Sequence, residues 1–195
     1  MIRGLSGFDE DYYEYFRQSL FISVKFFLRV IVDVVVPLRL WPLSQKKVLE
    51  LGCGKGELIL VLRALGIKAY GVDISQAAAK HWKGMRQRYC IIADCFDPPF
   101  SERFDFVITQ DLLEHLYLQD VLKALKVISN LCGGRMLHFI TTTEDAPWID
   151  LDATHRTKKQ SRWWQEKFQL FGWETILPIK RRKRSGYYLL KKRSK

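Results

Sequence analysis

The sequence predicts an α/β domain: a mostly parallel seven-stranded sheet with helices on both faces and an antiparallel hairpin strand at its C-terminal end. Three observations predict it. From about residue 46, short β-rich apolar runs alternate with amphipathic helical stretches, the pattern of a parallel sheet covered on both sides. The last two β-rich runs are joined by the short basic turn 180–184, too short for the crossover that parallel neighbours need, so they run antiparallel. The chain has 195 residues, 48% hydrophobic and 27% charged, which suits one domain with a sizeable core. That balance excludes general disorder, a fibrous protein and a multi-span membrane protein.

The elements follow in order. Residues 47–51 read as a first strand, 56–65 as a helix ended by Gly66, and 68–73 as a second strand. Residues 75–88 read as one helix with Ser75 as N-cap, and 90–94 as a third strand. An irregular connection through Pro98 and Pro99 leads to a fourth strand, 104–109, and a helix over 119–131 that Gly133 and Gly134 should stop. Residues 135–142 form a fifth strand. After a polar loop come a helix over 157–171 and two final strands, 173–179 and 186–190. On the last helix Trp164, Phe168 and Phe171 recur at i, i+4 and i+7, a spacing for core packing. The one internal boundary falls near residue 45.

The formal charge of +11 suggests a nucleic-acid binder until it is divided along the chain. Residues 180–195 hold 9 of the 32 basic residues and none of the 21 acidic ones, so the remainder is nearly neutral. The basic end has three readings: a phosphate-backbone or phosphorylated-acceptor contact, a contact with anionic lipid, and charge that keeps an exposed edge strand from pairing. The cysteines Cys53, Cys90, Cys95 and Cys132 form no CxxC pair and no metal-ligand spacing with the histidines, which suits a reducing cytosol. Four acids precede the first hydrophobic run, the wrong order for a secretory signal, so a cytoplasmic protein is expected.

Residues 1–45 are expected to form an N-terminal helical cap, with Phe8, Tyr12, Tyr15, Phe16 and Ser19 on one helical face. Within it residues 20–36 are nearly all apolar, but Lys25, Arg29 and Asp33 recur at i, i+4 and i+8 as one polar stripe. The stripe favours a helix lying on the domain, or peripherally on the inner membrane face, over a membrane span.

The chemistry begins at ELGCGKG, residues 50–56, which leaves an apolar strand and opens a helix. Glycines there let a ligand approach the backbone, and the helix start offers unpaired N–H groups, so a nucleotide-like ligand is indicated. The spacing is G-x-G-x-G, and the site of the third glycine in a dinucleotide fingerprint is Glu57, whose carboxylate would meet a pyrophosphate. Asp73 ends the second strand, 21 residues after Gly52, where a carboxylate can accept both hydroxyls of a ribose. A third acid, Asp94, ends the third strand.

Together VLELGCGKG at 48–56, GVDIS at 71–75, the acid of IIAD at 91–94 and RFDFVITQDLLEHL at 103–116 resemble the class I S-adenosylmethionine-dependent methyltransferases. The resemblance covers roughly residues 46–190 and implies a Rossmann-like fold, with residues 46–195 as the S-adenosylmethionine-binding methyltransferase domain. It implies that Gly52, Cys53, Gly54 and Gly56 form the cofactor loop and that Asp73 binds the ribose, with Ile74 against the adenine. It also implies that Asp94, beside Cys95, meets the adenine amine, that Gln110 and Leu112 border the methionine end, and that Glu50 supports the cofactor's amino group. The run DPPF at 97–100 matches a motif that clamps amine nitrogens in some of these enzymes, but there it follows the fourth strand. Here it precedes it, so Pro98 and Pro99 read as a loop stiffener.

Methyl transfer from a sulfonium is an in-line displacement, which needs alignment and desolvation and requires neither a covalent nucleophile nor a metal. A hydroxyl acceptor benefits from a general base, for which histidine is suited near neutral pH. His115 follows the fourth strand and His155 the fifth, both at the ligand-binding edge of such sheets. His115 also has a purely structural reading as the start of a helix. The segment DATHR at 152–156, followed by Trp163 and Trp164, resembles a subset of the family, some of which accompany glycan assembly. The expectation is methyl transfer to a small-molecule or glycan-type acceptor at oxygen, with His155, His115 and Tyr12 as catalytic candidates. RNA or protein methylation, and an inactive cofactor-binding subunit, are the alternatives.

Overall fold

The computed structural model describes residues 31–36, 45–140, 143, 153–178 and 186–193, with main chain only at 33–34, 136–140, 177–178 and 187. Seven strands, β1 (Lys47–Leu51), β2 (Lys68–Asp73), β3 (Cys90–Ile92), β4 (Phe104–Gln110), β5 (Cys132–Ile140), β6 (Trp173–Pro178) and β7 (Gly186–Lys192), form one sheet in the order β3-β2-β1-β4-β5-β7-β6. Pairings are parallel from β3 through β5, and β7 runs antiparallel to both β5 and β6, as the short final connection requires. Among the described residues there are five α-helices: α1 (Glu57–Ala64), α2 (Gln76–Ala79), α3 (Met85–Tyr89), α4 (Leu118–Leu131) and α5 (Ser161–Leu170).

Strand alternation divides the core into two layers. Val48, Phe106 and Ile108 pack with Ile59 and Leu62 of α1 on one face, while Leu49, Leu51 and Val107 pack with Val121, Leu125 and Ile128 of α4 on the other. Val35, from the turn Ile31–Val35, is buried in the first layer. Trp164 and Phe168 are fully buried in the second, while Phe171 is only partly covered. No described helix is long and apolar enough to cross a membrane. The remainder of the cap, the polar loop before residue 153 and the turn 180–184 lie outside the described residues.

Three expected elements are corrected. The helix expected over 75–88 is two short ones, α2 capped by Ser75 Oγ accepting from Ala78 N, and α3 preceded by Gly84 at φ 60°, ψ −121°. In the break, the Trp82 indole N–H donates to Gly54 O at 2.9 Å, a contact that one continuous helix was not expected to make. Gly133 and Gly134 do not form a stop after α4 but lie inside β5. There the neighbouring strand crowds the backbone, and a Cβ at Gly134 would lie 2.5 Å from Asp105 O. The helix expected from 157 begins only at Ser161, because Thr157 is bound to the earlier chain: its N–H donates to Glu114 O and its hydroxyl to Leu116 O.

Candidate functional site

A cavity of about 380 Å³ opens at the C-terminal ends of β1, β2 and β4, the edge where open α/β sheets hold ligands. Its floor is the turn between β1 and α1. Gly52 has φ 76°, and a Cβ there would lie 3.0 Å from Leu112 Cδ1, so the turn and the loop after β4 can touch only at a glycine. The N–H groups of Gly52 and Cys53 both donate to Val72 O, which binds the turn to the end of β2. Trp82 holds the carbonyl of Gly54 from behind, and Arg86 Nη1 donates to Lys55 O at 3.3 Å.

Two carboxylates define the polar character of this end. Asp73 Oδ2 accepts from Gly54 N at 2.7 Å and Oδ1 from Ser75 N at 2.8 Å, which fixes the carboxylate at the cavity wall with a lone pair on each oxygen left for a diol. Burial raises its pKa despite those backbone donors. Glu50 is 3% exposed, and its Oε2 has no hydrogen-bond partner among the described residues. Burial pushes its carboxyl well above the usual range, and the nearby ionisable groups Cys90, Asp73 and Glu57 push in the same direction. A buried carboxylate without a donor, facing a cavity, fits a cationic ligand group.

Most of the residues expected at the cofactor line this cavity: Glu50, Gly52, Cys53, Gly54, Asp73, Ile74, Asp94, Cys95, Gln110 and Leu112. Gly56 does not. It is the left-handed residue at the start of α1, where a Cβ would lie 2.8 Å from Cys90 Sγ. Ile74 is 64% exposed, an apolar side chain left open at the mouth. Asp94 Oδ1 accepts from Phe96 N, which turns the chain after β3, and burial raises the Cys95 thiol to about 12. Phe100 packs edge-to-face on Phe104 at 5.0 Å, and Pro98, Pro99 and Phe100 do not line the cavity.

His115 and Leu116 close the far end of the cavity. His155 does not line it but lies directly behind, its ring centroid 4.8 Å from that of His115. Backbone bonds bring the two together: Glu114 O accepts from Arg156 N at 2.8 Å and from Thr157 N at 2.9 Å, and Thr154 Oγ1 lies 3.0 Å from His115 Nδ1. Tyr12 lies outside the described residues. Sequence reasoning missed Trp82 and the lining residues Phe96, Asp111 and Leu116. Asp111 carries positive φ, 47°, at the bend after β4, and neither spacing nor hydropathy marks such a bend.

Residues 24–178 match a family described as a methyltransferase domain. The ubiquinone biosynthesis O-methyltransferase of Thiobacillus denitrificans is 33% identical over 93 residues, covering 41% of this chain and 40% of that protein. The mRNA cap guanine-N(7) methyltransferase of Saccharomyces cerevisiae is 36% identical over 130 residues, 52% of this chain and 28% of that protein. The chain spans about half the length, or less, of the curated relatives it matches. Magnesium protoporphyrin IX methyltransferase from Synechocystis, solved with bound S-adenosylmethionine, shares the fold at a TM-score of 0.64 and 18% identity, over 91% of this chain and 86% of that one.

Proposed function

This chain belongs to the methyltransferase-domain family, and on that premise we propose that it transfers the methyl group of S-adenosylmethionine to a hydroxyl oxygen of a small-molecule or glycan-type acceptor. The observation that carries the reading is the pair of carboxylates on one cavity: Asp73 has acceptor capacity for a ribose diol, and the buried Glu50 Oε2 lacks a donor that an α-ammonium would supply. The geometry of the glycine turn and the exposed face of Ile74 suit an adenosyl group lying against backbone and apolar surface.

When bound, S-adenosylmethionine supplies an electrophilic methyl on a sulfonium. The residues of this chain then have three tasks. Glu50 and Asp73 fix the two ends of the cofactor; Leu112 and Leu116 exclude water around the reacting carbon; His115, with His155 behind it, marks the end of the cavity at which the acceptor hydroxyl enters. As the new O–C bond forms, the C–S bond breaks and its electron pair stays on sulfur, while the hydroxyl proton leaves to solvent. We assign residues 46–195 to this domain and residues 1–45 to a cap over it.

A relative named as an O-methyltransferase and a nearly neutral body support a small acceptor. An RNA acceptor is the second reading, supported by the relative named for the mRNA cap and by the nine basic residues of 180–195. Incubating the protein with an extract and methyl-labelled donor tests both. The expected result is label in a compound of low molecular weight, with activity nearly insensitive to salt and to neutralising residues 180–184. Label in RNA, with activity falling steeply as salt rises, would transfer the assignment to the second reading. Cofactor binding without transfer to any acceptor would overturn both in favour of an inactive subunit.

Trp82→Phe tests the brace behind the turn. It removes one hydrogen bond, worth about 1 kcal/mol, so S-adenosylhomocysteine should bind roughly fivefold more weakly by calorimetry while the fold is retained.

A further inference from the structure

We infer that Glu114, His115 and His155 form a binding site for a divalent transition-metal cation at the acceptor end of the cavity. One potential ligand atom from each of the three lies within 4.8 Å of the others. Two imidazole nitrogens and a carboxylate oxygen are a donor set for Mn²⁺, Fe²⁺, Co²⁺ or Zn²⁺. Ligand atoms of a tetrahedral ion with bonds of about 2.05 Å stand about 3.4 Å apart, so side-chain rotation must draw the group in by up to about 1.4 Å to hold one. Among the described residues no other group of three or more histidine, cysteine or acidic side chains meets this geometry.

The surroundings hold the donors in place. The 3₁₀ turn Leu113–His115 presents Glu114 and His115 side by side, and the two backbone bonds to Glu114 O dock the 153–157 segment so that His155 faces them. In the tautomer in which His115 Nδ1–H donates to Thr154 Oγ1, the lone pair is on Nε2, and a hydrogen bond of this kind on the non-ligating nitrogen is usual for metal-bound histidine. Glu114 is 0% exposed, and a carboxylate so placed sits beside strong donors, opposite charge or a metal ion.

His115 lines the cavity, so a cation there has its open positions toward the acceptor. That role rests on the methyltransferase reading above. A hydroxyl on the cation gives up its proton to water near neutral pH; its oxygen then bonds to the methyl carbon as the C–S bond breaks, leaving the electron pair on sulfur. The sequence expectation assigned no metal, because the cysteines have no ligand spacing with the histidines and methyl transfer does not require one.

The test is titration of the chelator-treated 195-residue chain with Co²⁺, read by calorimetry and by visible absorption of the coordinated ion. One ion per chain is expected, with imidazole-coordinated bands, and His155→Gln should weaken binding at least 30-fold while His81→Gln leaves it unchanged. S-adenosylhomocysteine binding, measured alongside, should be the same in His155→Gln as in the wild type, which shows that the fold is intact. No Co²⁺ bound per chain, or equal binding by His155→Gln, overturns the metal site while the cofactor assignment stands. Loss of S-adenosylhomocysteine binding by the wild type overturns the methyltransferase reading and leaves the metal site to its own titration.

Discussion

Asp73→Ala is expected to weaken binding of S-adenosylmethionine and of its demethylated product by roughly 10²- to 10³-fold, while the protein stays folded. The carboxylate would accept two ribose hydroxyls, and a hydrogen bond to a charged acceptor contributes about 1.5–3 kcal/mol. At 1.4 kcal/mol per factor of ten, two such bonds give two to three decades after the usual losses from imperfect geometry. Stability should move little, because two opposed effects meet at this residue. Alanine leaves Gly54 N and Ser75 N without their acceptor, but it also removes a carboxylate whose burial already disfavours its charge. Calorimetry with S-adenosylhomocysteine and thermal unfolding on the same preparation separate the two. Asp73→Asn keeps one acceptor oxygen and should fall between wild type and alanine. A loss of less than threefold in the alanine variant, with unfolding unchanged, would mean that the ligand does not reach β2 and would remove the adenosyl assignment.

The parts of this molecule legible in the sequence are those set by local pattern. Strand periodicity placed β1, β2 and β4 to within a residue, because buried parallel strands are short apolar runs bounded by turn residues. The glycine turn and the strand-end acids were legible for the same reason: each of these cavity-lining groups follows a strand by a fixed, short offset. What local pattern cannot carry is contact between distant segments. Residues 75–88 have the composition of one helix, yet the Trp82 indole is drawn to Gly54, 28 residues earlier, and Gly84 leaves helical geometry. Gly133 and Gly134 read as a helix stop, whereas their small size serves a strand pressed against β4. His155 and His115 could each be named as candidates, but their meeting depends on Arg156 and Thr157 pairing with Glu114 O across some 40 residues.

Glu50→Gln is expected to make the ligand-free protein more heat-stable above neutral pH and, at the same time, a weaker cofactor binder by roughly 10- to 100-fold, the value of one charge-assisted hydrogen bond. The sign follows from proton binding. Burial first, and then the nearby ionisable groups Cys90, Asp73 and Glu57, raise the folded-state pKa of Glu50 above its value in the unfolded chain, so between those values the folded state holds more protons. Stability associated with this group is therefore present at low pH and declines as pH rises through the raised folded pKa. Glutamine removes that decline, so the difference in Tm between variant and wild type should widen as pH increases. An incoming ammonium acts in the opposite direction, since it favours the ionised carboxylate, and binding must then expel the proton. Wild-type affinity for S-adenosylhomocysteine should accordingly rise with pH, by up to tenfold per unit, until the ligand-free carboxyl is ionised, and then level off. The glutamine variant should show no such rise. Parallel pH profiles for the two proteins, or equal affinity, would mean that Glu50 does not face the ligand's amino group, and the buried carboxylate would then need another partner.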